Sequence, residues 1–213
     1  IYREIDDPEN HTLMYEKLGN AYYCLSDYSK AIQSYSQGLL IAQKFKYFER
    51  QAAILSNLGN VYNTLAEDDI ALQKYDEALK ILPQSNSRLK SEVLRGRGNI
   101  YNLRGSFAEA IKDYQEALNI DESIKNESGI SESQVQLASI YLALEDINKA
   151  TQYYKDSLDF SEIESLAGLG RIELLLSNTK KSIILFNKSL IAAEQLANKE
   201  GKANAFYNLG LAY

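Results

Sequence analysis

Leu58–Gly59–Asn60–Val61–Tyr62, followed by Ala71, Tyr75 and Ala78, is one full copy of a pattern that recurs along the whole chain. Leu18–Gly19 and Tyr22 lead to Ala31, Tyr35 and Gly38. Gly98 and Tyr101 lead to Ala110, Tyr114 and Ala117, and Leu137–Ala138 and Tyr141 lead to Ala150, Tyr154 and Ser157. Leu169–Gly170 leads to Ser182, Phe186 and Ser189, and Leu209–Gly210 with Tyr213 opens a further copy. The marker positions 19, 59, 98, 138, 170 and 210 stand 40, 39, 40, 32 and 40 residues apart. A fixed period of this size denotes a stacked array of small units rather than one globular core.

Within a copy the spacing is helical. Leu18, Ala21 and Tyr22 fall on one stripe (i, i+3, i+4) of a first helix over 11–25, after a turn at 6–10 containing Pro8. Ser26–Asp27 is a tight turn, and Ala31, Tyr35, Leu39 and Ala42 mark a second helix over 29–44. Small residues at Gly19, Ala31, Gly59 and Ala71 let two helices approach closely, with Tyr and Phe filling the space beside them. The units run approximately over 11–48, 49–86, 87–126, 127–162 and 163–200, with a partial unit over 201–213. Pro83 with 85–87 closes the second unit, and Arg104–Gly105–Ser106 and Glu145–Asp146 turn the third and fourth. Ser161-x-x-Glu164 reads as a capping box. The 32-residue spacing predicts that the fourth unit's second helix is about two turns short, with changed local geometry near 159–163. Ile1 stands as far before Gly19 as Ile41 before Gly59, so 1–5 reads as the tail of a preceding second helix and the chain as a segment of a longer array.

These residues resemble the tetratricopeptide repeat family, whose pattern is Leu-Gly-x-x-Tyr on a first helix and Ala-x-x-x-Phe, then Pro, on a second. Tyr15, Leu55, Leu94 and Phe206 stand where the family has Trp, and Pro83 alone remains of its closing prolines. The longer period is similar to that of kinesin light chains, LGN-type adaptors and bacterial signalling proteins of this family. The resemblance implies an all-α right-handed superhelix whose first helices line a concave groove.

The 213 residues carry a net charge of −6, which disfavours phosphate contact and hence a nucleic-acid partner. No apolar run approaches the roughly 18 residues of a membrane span. Cys24 is the single cysteine, which favours a reducing, cytoplasmic setting. His11 is the single histidine, so no Cys/His dyad, His-bearing triad or Cys/His zinc cluster can be assembled. Gly96-x-Gly98 and Gly168-x-Gly170 lie inside helices and follow no strand, so they are not phosphate loops. Acidic pairs such as Asp68–Asp69 sit at turns, as solvated caps. Neither an enzyme nor a cofactor is expected.

The groove is the candidate site. The resemblance places ligand residues just after each marker, at Asn20, Asn60, Asn99 and Arg171, with Arg95 one turn before Asn99. Asn57, Asn63 and Asn102 lie beside them. Asn is a mediocre helix former, so its recurrence asks for a reason. An exposed Asn offers a donor and an acceptor, and a ladder of them grips the backbone of an extended peptide without demanding a particular side chain. The competing reading makes the same residues polar contacts within the array. Arg88, Arg95, Arg97 and Arg104 cluster on the third unit, either to fork onto an acidic ligand or to pair with Glu92, Glu116 or Glu132. Glu16, Glu132 and Glu164 occupy positions where the family's chaperone-tail clamp is basic, which argues against that ligand. The expected partner is a protein or linear peptide, acidic ones included. Two alternatives are a docking array attached to an enzyme and a self-associating array.

Overall fold

The computed structural model describes residues 7–82 and 87–213, so the segment 1–5 and most of the turn read at Pro83 lie outside the described residues. The described residues form eleven α-helices and no strand. They are α1 (Pro8–Cys24), α2 (Tyr28–Phe45), α3 (Phe48–Thr64), α4 (Asp68–Ile81), α5 (Arg88–Leu103), α6 (Phe107–Ser123), α7 (Glu127–Ala143), α8 (Ile147–Asp156), α9 (Glu162–Leu175), α10 (Thr179–Gln195) and α11 (Lys199–Ala212). The expected all-α repeat architecture is present. Among the described residues no helix is long and apolar enough to cross a membrane.

One local device joins the helices. Leu25 ends α1, Ser26 turns left-handed at φ 59°, and the Asp27 amide donates back to the Tyr22 carbonyl at 2.9 Å. That bond and the one from Ser26 N–H to Tyr23 O complete a Schellman closure. Asp27 is also the cap of α2, its carboxylate accepting from the Lys30 amide at 3.2 Å. The device repeats at Ala66–Glu67, Gly105–Ser106, Glu145–Asp146 and Ser177–Asn178, where the returning bond ends on Tyr62, Tyr101, Tyr141 and Glu173. Only Gly105 among these left-handed residues is glycine, so most turns bear a small backbone strain.

Two sequence expectations are corrected locally, and one open alternative is resolved. Residues 8–10 are helix, not turn: Pro8 occupies the first helical position, where its missing N–H costs nothing, and Asp7 caps the Glu9 and Asn10 amides. Ser161 stands at the start of α9 but makes no side-chain cap; its hydroxyl instead accepts from Ser131 Oγ at 2.6 Å. Of the two readings of the arginine cluster, pairing within the chain is the one seen for Arg88, Arg97 and Arg104, with Arg88 on Glu92 as named and Arg97 and Arg104 on aspartates. The short helix is as expected: α8 has 10 residues where α2 has 18 and α10 has 17.

The chain divides into two compact units, 1–113 and 114–213. In the first, Ala31 and Tyr35 of α2 pack with Ile54, Leu58 and Val61 of α3, and Ala71, Tyr75 and Ala78 of α4 pack with Ala52, Leu55, Val93 and Ile100 of α3 and α5. In the second, Ala138, Ala150, Tyr154 and Ile172 join α7, α8 and α9. Each cluster thus takes side chains from a hairpin and from the helix that follows, as stacked repeats require. Tyr35, Tyr75, Tyr114, Tyr154 and Phe186 are the largest fully buried side chains. Several glycines make room for these rings: a methyl added at Gly19 would overlap Tyr35, at Gly168 Tyr154, and at Gly170 Phe186. Tyr75 lies between two glycines, and a methyl added at Gly59 would stand 2.9 Å from its ring, one at Gly96 2.8 Å.

Candidate functional site

In the first unit α1, α3 and α5 pack side by side. Tyr23 Oη lies 2.9 Å from Thr64 Oγ1, and Arg50 reaches Glu16 at 3.4 Å, both bridging α1 and α3. Asn20 and Asn60, each one residue past a buried glycine, are exposed. Their exposure is one-sided. The Tyr35 hydroxyl, rising from α2, donates to Asn20 Oδ1 at 2.5 Å, and the Tyr75 hydroxyl, from α4, donates to Asn60 Oδ1 at the same distance. Burial, with Glu16 adding to it, pushes the Tyr35 phenol up to about 12, and burial raises Tyr75 further. Both remain protonated donors at neutral pH.

This hydrogen bond explains a spacing. The residue after each marker precedes the core aromatic by fifteen positions: Asn20/Tyr35, Asn60/Tyr75, Asn99/Tyr114, Ser139/Tyr154, Arg171/Phe186. Asn accompanies Tyr three times, and Arg171 accompanies Phe186, which has no hydroxyl to satisfy. Ser139 is too short to serve and turns its hydroxyl to the Gln136 carbonyl at 2.9 Å. The Tyr154 hydroxyl instead lies 3.5 Å from Arg171 Nη2, supplied by the first helix of the next repeat. Tyr35 and Tyr75 are the site residues missed by sequence reasoning, although the constant offset of fifteen was there to find.

Of the other expected residues, Asn57 and Asn63 flank Asn60 one turn to either side on α3 and are half-buried. Arg95 and Asn102 are half-buried on α5 and Asn99 is exposed; Arg95 and Asn99 are both engaged in interactions of their own. Arg171 is exposed on α9 of the second unit.

The third unit's positive charge is mostly spent. Arg88 pairs with Glu92 at 2.9 Å, and Arg104 reaches Asp69 at 2.7 Å and Asp68 at 3.3 Å. Arg97 forks onto both oxygens of Asp113 at 2.7 Å, with a further bond of 2.6 Å to Asp76, and lies 5.9 Å from the Tyr101 ring centre. Burial opposes its charge, but the bonds and charge of Asp113, then Asp76, outweigh that and keep it protonated. Sequence reading overlooked these partners because Asp76 and Asp113 sit on second helices, 21 and 16 residues away.

Chemically, the face supplies hydrogen-bond donors and shape. Among the described residues no group of three or more His, Cys, Asp or Glu side chains could hold a metal ion. A family model described as tetratricopeptide repeat matches residues 11–84 and 90–163, more than half the chain. No curated protein matches the sequence. Several solved structures are similar. The apo form of RapI is 18% identical with TM-score 0.84, covering 95% of this chain and 77% of its own. BtubC from P. vanneervenii is 17% identical with TM-score 0.79, covering 91% and 84%. A tetratricopeptide repeat protein from Parabacteroides merdae is 20% identical with TM-score 0.64, covering 94% and 74%. At such identities the likeness is one of fold.

Proposed function

The chain belongs to the tetratricopeptide repeat family, whose repeats are generally non-catalytic protein–protein interaction modules, and on that premise we propose that its first helices receive an extended segment of a partner protein. Asn20, Asn57, Asn60, Asn63, Arg95, Asn99 and Asn102 form the receiving face of the first unit, and Arg171 holds the corresponding position in the second. The array performs no catalysis itself. The observation that carries the reading is the pair Asn20 and Asn60: exposed, recurrent, and each bonded, among the described residues, through one side-chain amide atom only. An amide kept on a helix surface despite poor helix propensity, with its second polar atom turned to solvent, is suited to a backbone ligand. With Arg88, Arg97 and Arg104 paired to carboxylates of the chain, neutral peptide backbone suits this face better than an acidic side chain.

The test uses the tightest linear peptide selected on the full chain from a displayed random library. Asn60→Ala combined with Asn99→Ala is expected to weaken it by about 1 kcal/mol or more per lost bond, measured by calorimetry. Equal affinity for the double variant and the parent would remove the proposed face.

A further inference from the structure

The two asparagines are alike in a way that a simple amide ladder does not require. In each, the oxygen is the bonded atom, and among the described residues the nitrogen has no hydrogen-bond partner. The assignment follows from the phenol rather than from the amide. Tyr35 and Tyr75 are 2% and 1% exposed, and a buried hydroxyl proton without an acceptor costs about 1–3 kcal/mol. Among the described residues, neither hydroxyl has another acceptor within reach. If the amide were reversed, Nδ2 would donate to the phenol oxygen and the phenolic proton would have nowhere to go. The bond therefore fixes Oδ1 toward the core and Nδ2 outward, and no protein group meets either Nδ2 among the described residues.

Resting on the receiving face proposed for the first helices, we infer that Tyr35 and Tyr75 are positioning residues that latch Asn20 and Asn60 with their acceptor hidden, so that the face selects the main-chain carbonyl oxygens of an extended segment. A free amide serves as donor or acceptor and rotates between the two. A latched one gives two N–H groups in a preset direction, and the ordering cost is met on folding instead of on binding. The ligand's own N–H groups are then left to solvent. Arg171 keeps the same polarity in the second unit. Where Phe186 provides no hydroxyl to hold an Asn, a guanidinium, which has donors only, takes the place. The latch also depends on the glycine positions, since Tyr75 reaches Asn60 only by lying flat between Gly59 and Gly96.

Three substitutions on the intact chain separate the latch from the face. Tyr35→Phe with Tyr75→Phe keeps both rings and removes both hydroxyls. It is expected to weaken the selected peptide about fivefold or more per latch. In amide nuclear magnetic resonance spectra of the unliganded chain, the Asn20 and Asn60 side-chain signals should also move and gain mobility. A thermal melt reports whether the fold survives, and the spectra remain informative if stability falls. Asn60→Asp retains an acceptor for Tyr75 but loses the donors, and should bind as poorly as Asn60→Ala. On the peptide side, a thioamide replacing the contacted carbonyl should weaken binding, whereas N-methylation of amides along the contacted stretch should change it by less than about twofold. If Asn60→Ala weakens the peptide and the two Tyr→Phe changes do not, the latch is refuted and the face stands. If N-methylation costs as much as the thioamide, the preference for carbonyl acceptors is refuted. If no linear peptide can be selected, or none responds to Asn60→Ala, the face itself is refuted, and this inference with it.

Discussion

At the scale of single residues, the glycines divide by what a methyl group would meet. At Gly168 it would enter the Tyr154 ring, itself fully buried, whereas at Gly210 it would meet nothing within 4 Å. Gly168→Ala should therefore cost about 1–3 kcal/mol through overpacking, and Gly210→Ala should be neutral or stabilising by about 0.5 kcal/mol through helix propensity. Urea midpoints of the two variants against the parent decide this. Equal shifts would mean that a glycine packed against a core ring, such as Gly168, is not a spacer for it. Arginines divide in the same way. Arg97→Ala removes the bidentate partner of Asp113, whose side chain is 3% exposed, and is expected to cost about 3–5 kcal/mol. Arg88→Ala breaks a pair with side chains 71% and 44% exposed, worth less than about 1 kcal/mol. Much at this scale was legible in the sequence: the rings at Tyr35, Tyr75, Tyr114 and Tyr154 and the small residues opposite them follow from the repeat alone. What was not legible is who binds whom. Arg97 reads as a cation on a cationic stretch until Asp76 and Asp113 arrive from second helices, and Asn60 reads as a free amide until Tyr75 takes its oxygen.

At the scale of helices, α8 poses the sharpest question, because a helix of 10 residues must close a repeat that its counterparts close with 14 to 18. Hydroxyl groups replace the missing turns. Ser131 Oγ on α7 lies 3.1 Å from the Ser157 carbonyl and donates to Ser161 Oγ, while Ser157 Oγ lies 2.7 Å from Ser165 Oγ of α9. Ser131, Ser157 and Ser165 are buried, so each bond satisfies a group that water cannot reach. Ser131→Ala removes the hydroxyl that bonds Ser161 and lies against the Ser157 carbonyl, and should destabilise by about 1–3 kcal/mol. An exposed serine such as Ser128, changed to Ala, serves as the reference in the same denaturant series; matching midpoints would show that the hydroxyl cluster does not hold the shortened repeat together. The shortening itself could be read from the 32-residue spacing. Its chemistry could not, since Ser161 followed by Glu164 looks like an ordinary capping box until Ser131, thirty residues earlier, engages the hydroxyl.

At the scale of the molecule, the property that recurs in both units is a phenol held in the core with its proton on. Tyr35 is pushed up to about 12 and Tyr75 still higher, chiefly by burial; Tyr154 is raised by burial against the opposing pull of Arg171. An unfolded chain releases phenolic protons near pH 10. Between about 10 and 12 the unfolded state therefore binds fewer protons than the native one, and stability falls as pH rises; below 10 these groups leave it unchanged. The chain should keep its helical ellipticity up to about pH 10 and lose it over the next two units. The core tyrosines Tyr35 and Tyr75 should give their tyrosinate absorbance only together with the loss of helix. Tyr75→Phe removes one of the raised phenols and should move alkaline unfolding to higher pH, even though it lowers stability at neutrality by the lost hydrogen bond to Asn60. That opposition of signs is the strict part of the test. A variant weakened equally at pH 7 and pH 11 would mean that the Tyr75 hydroxyl is not protected by the fold, and that its buried ring does not keep its proton in the way its packing requires.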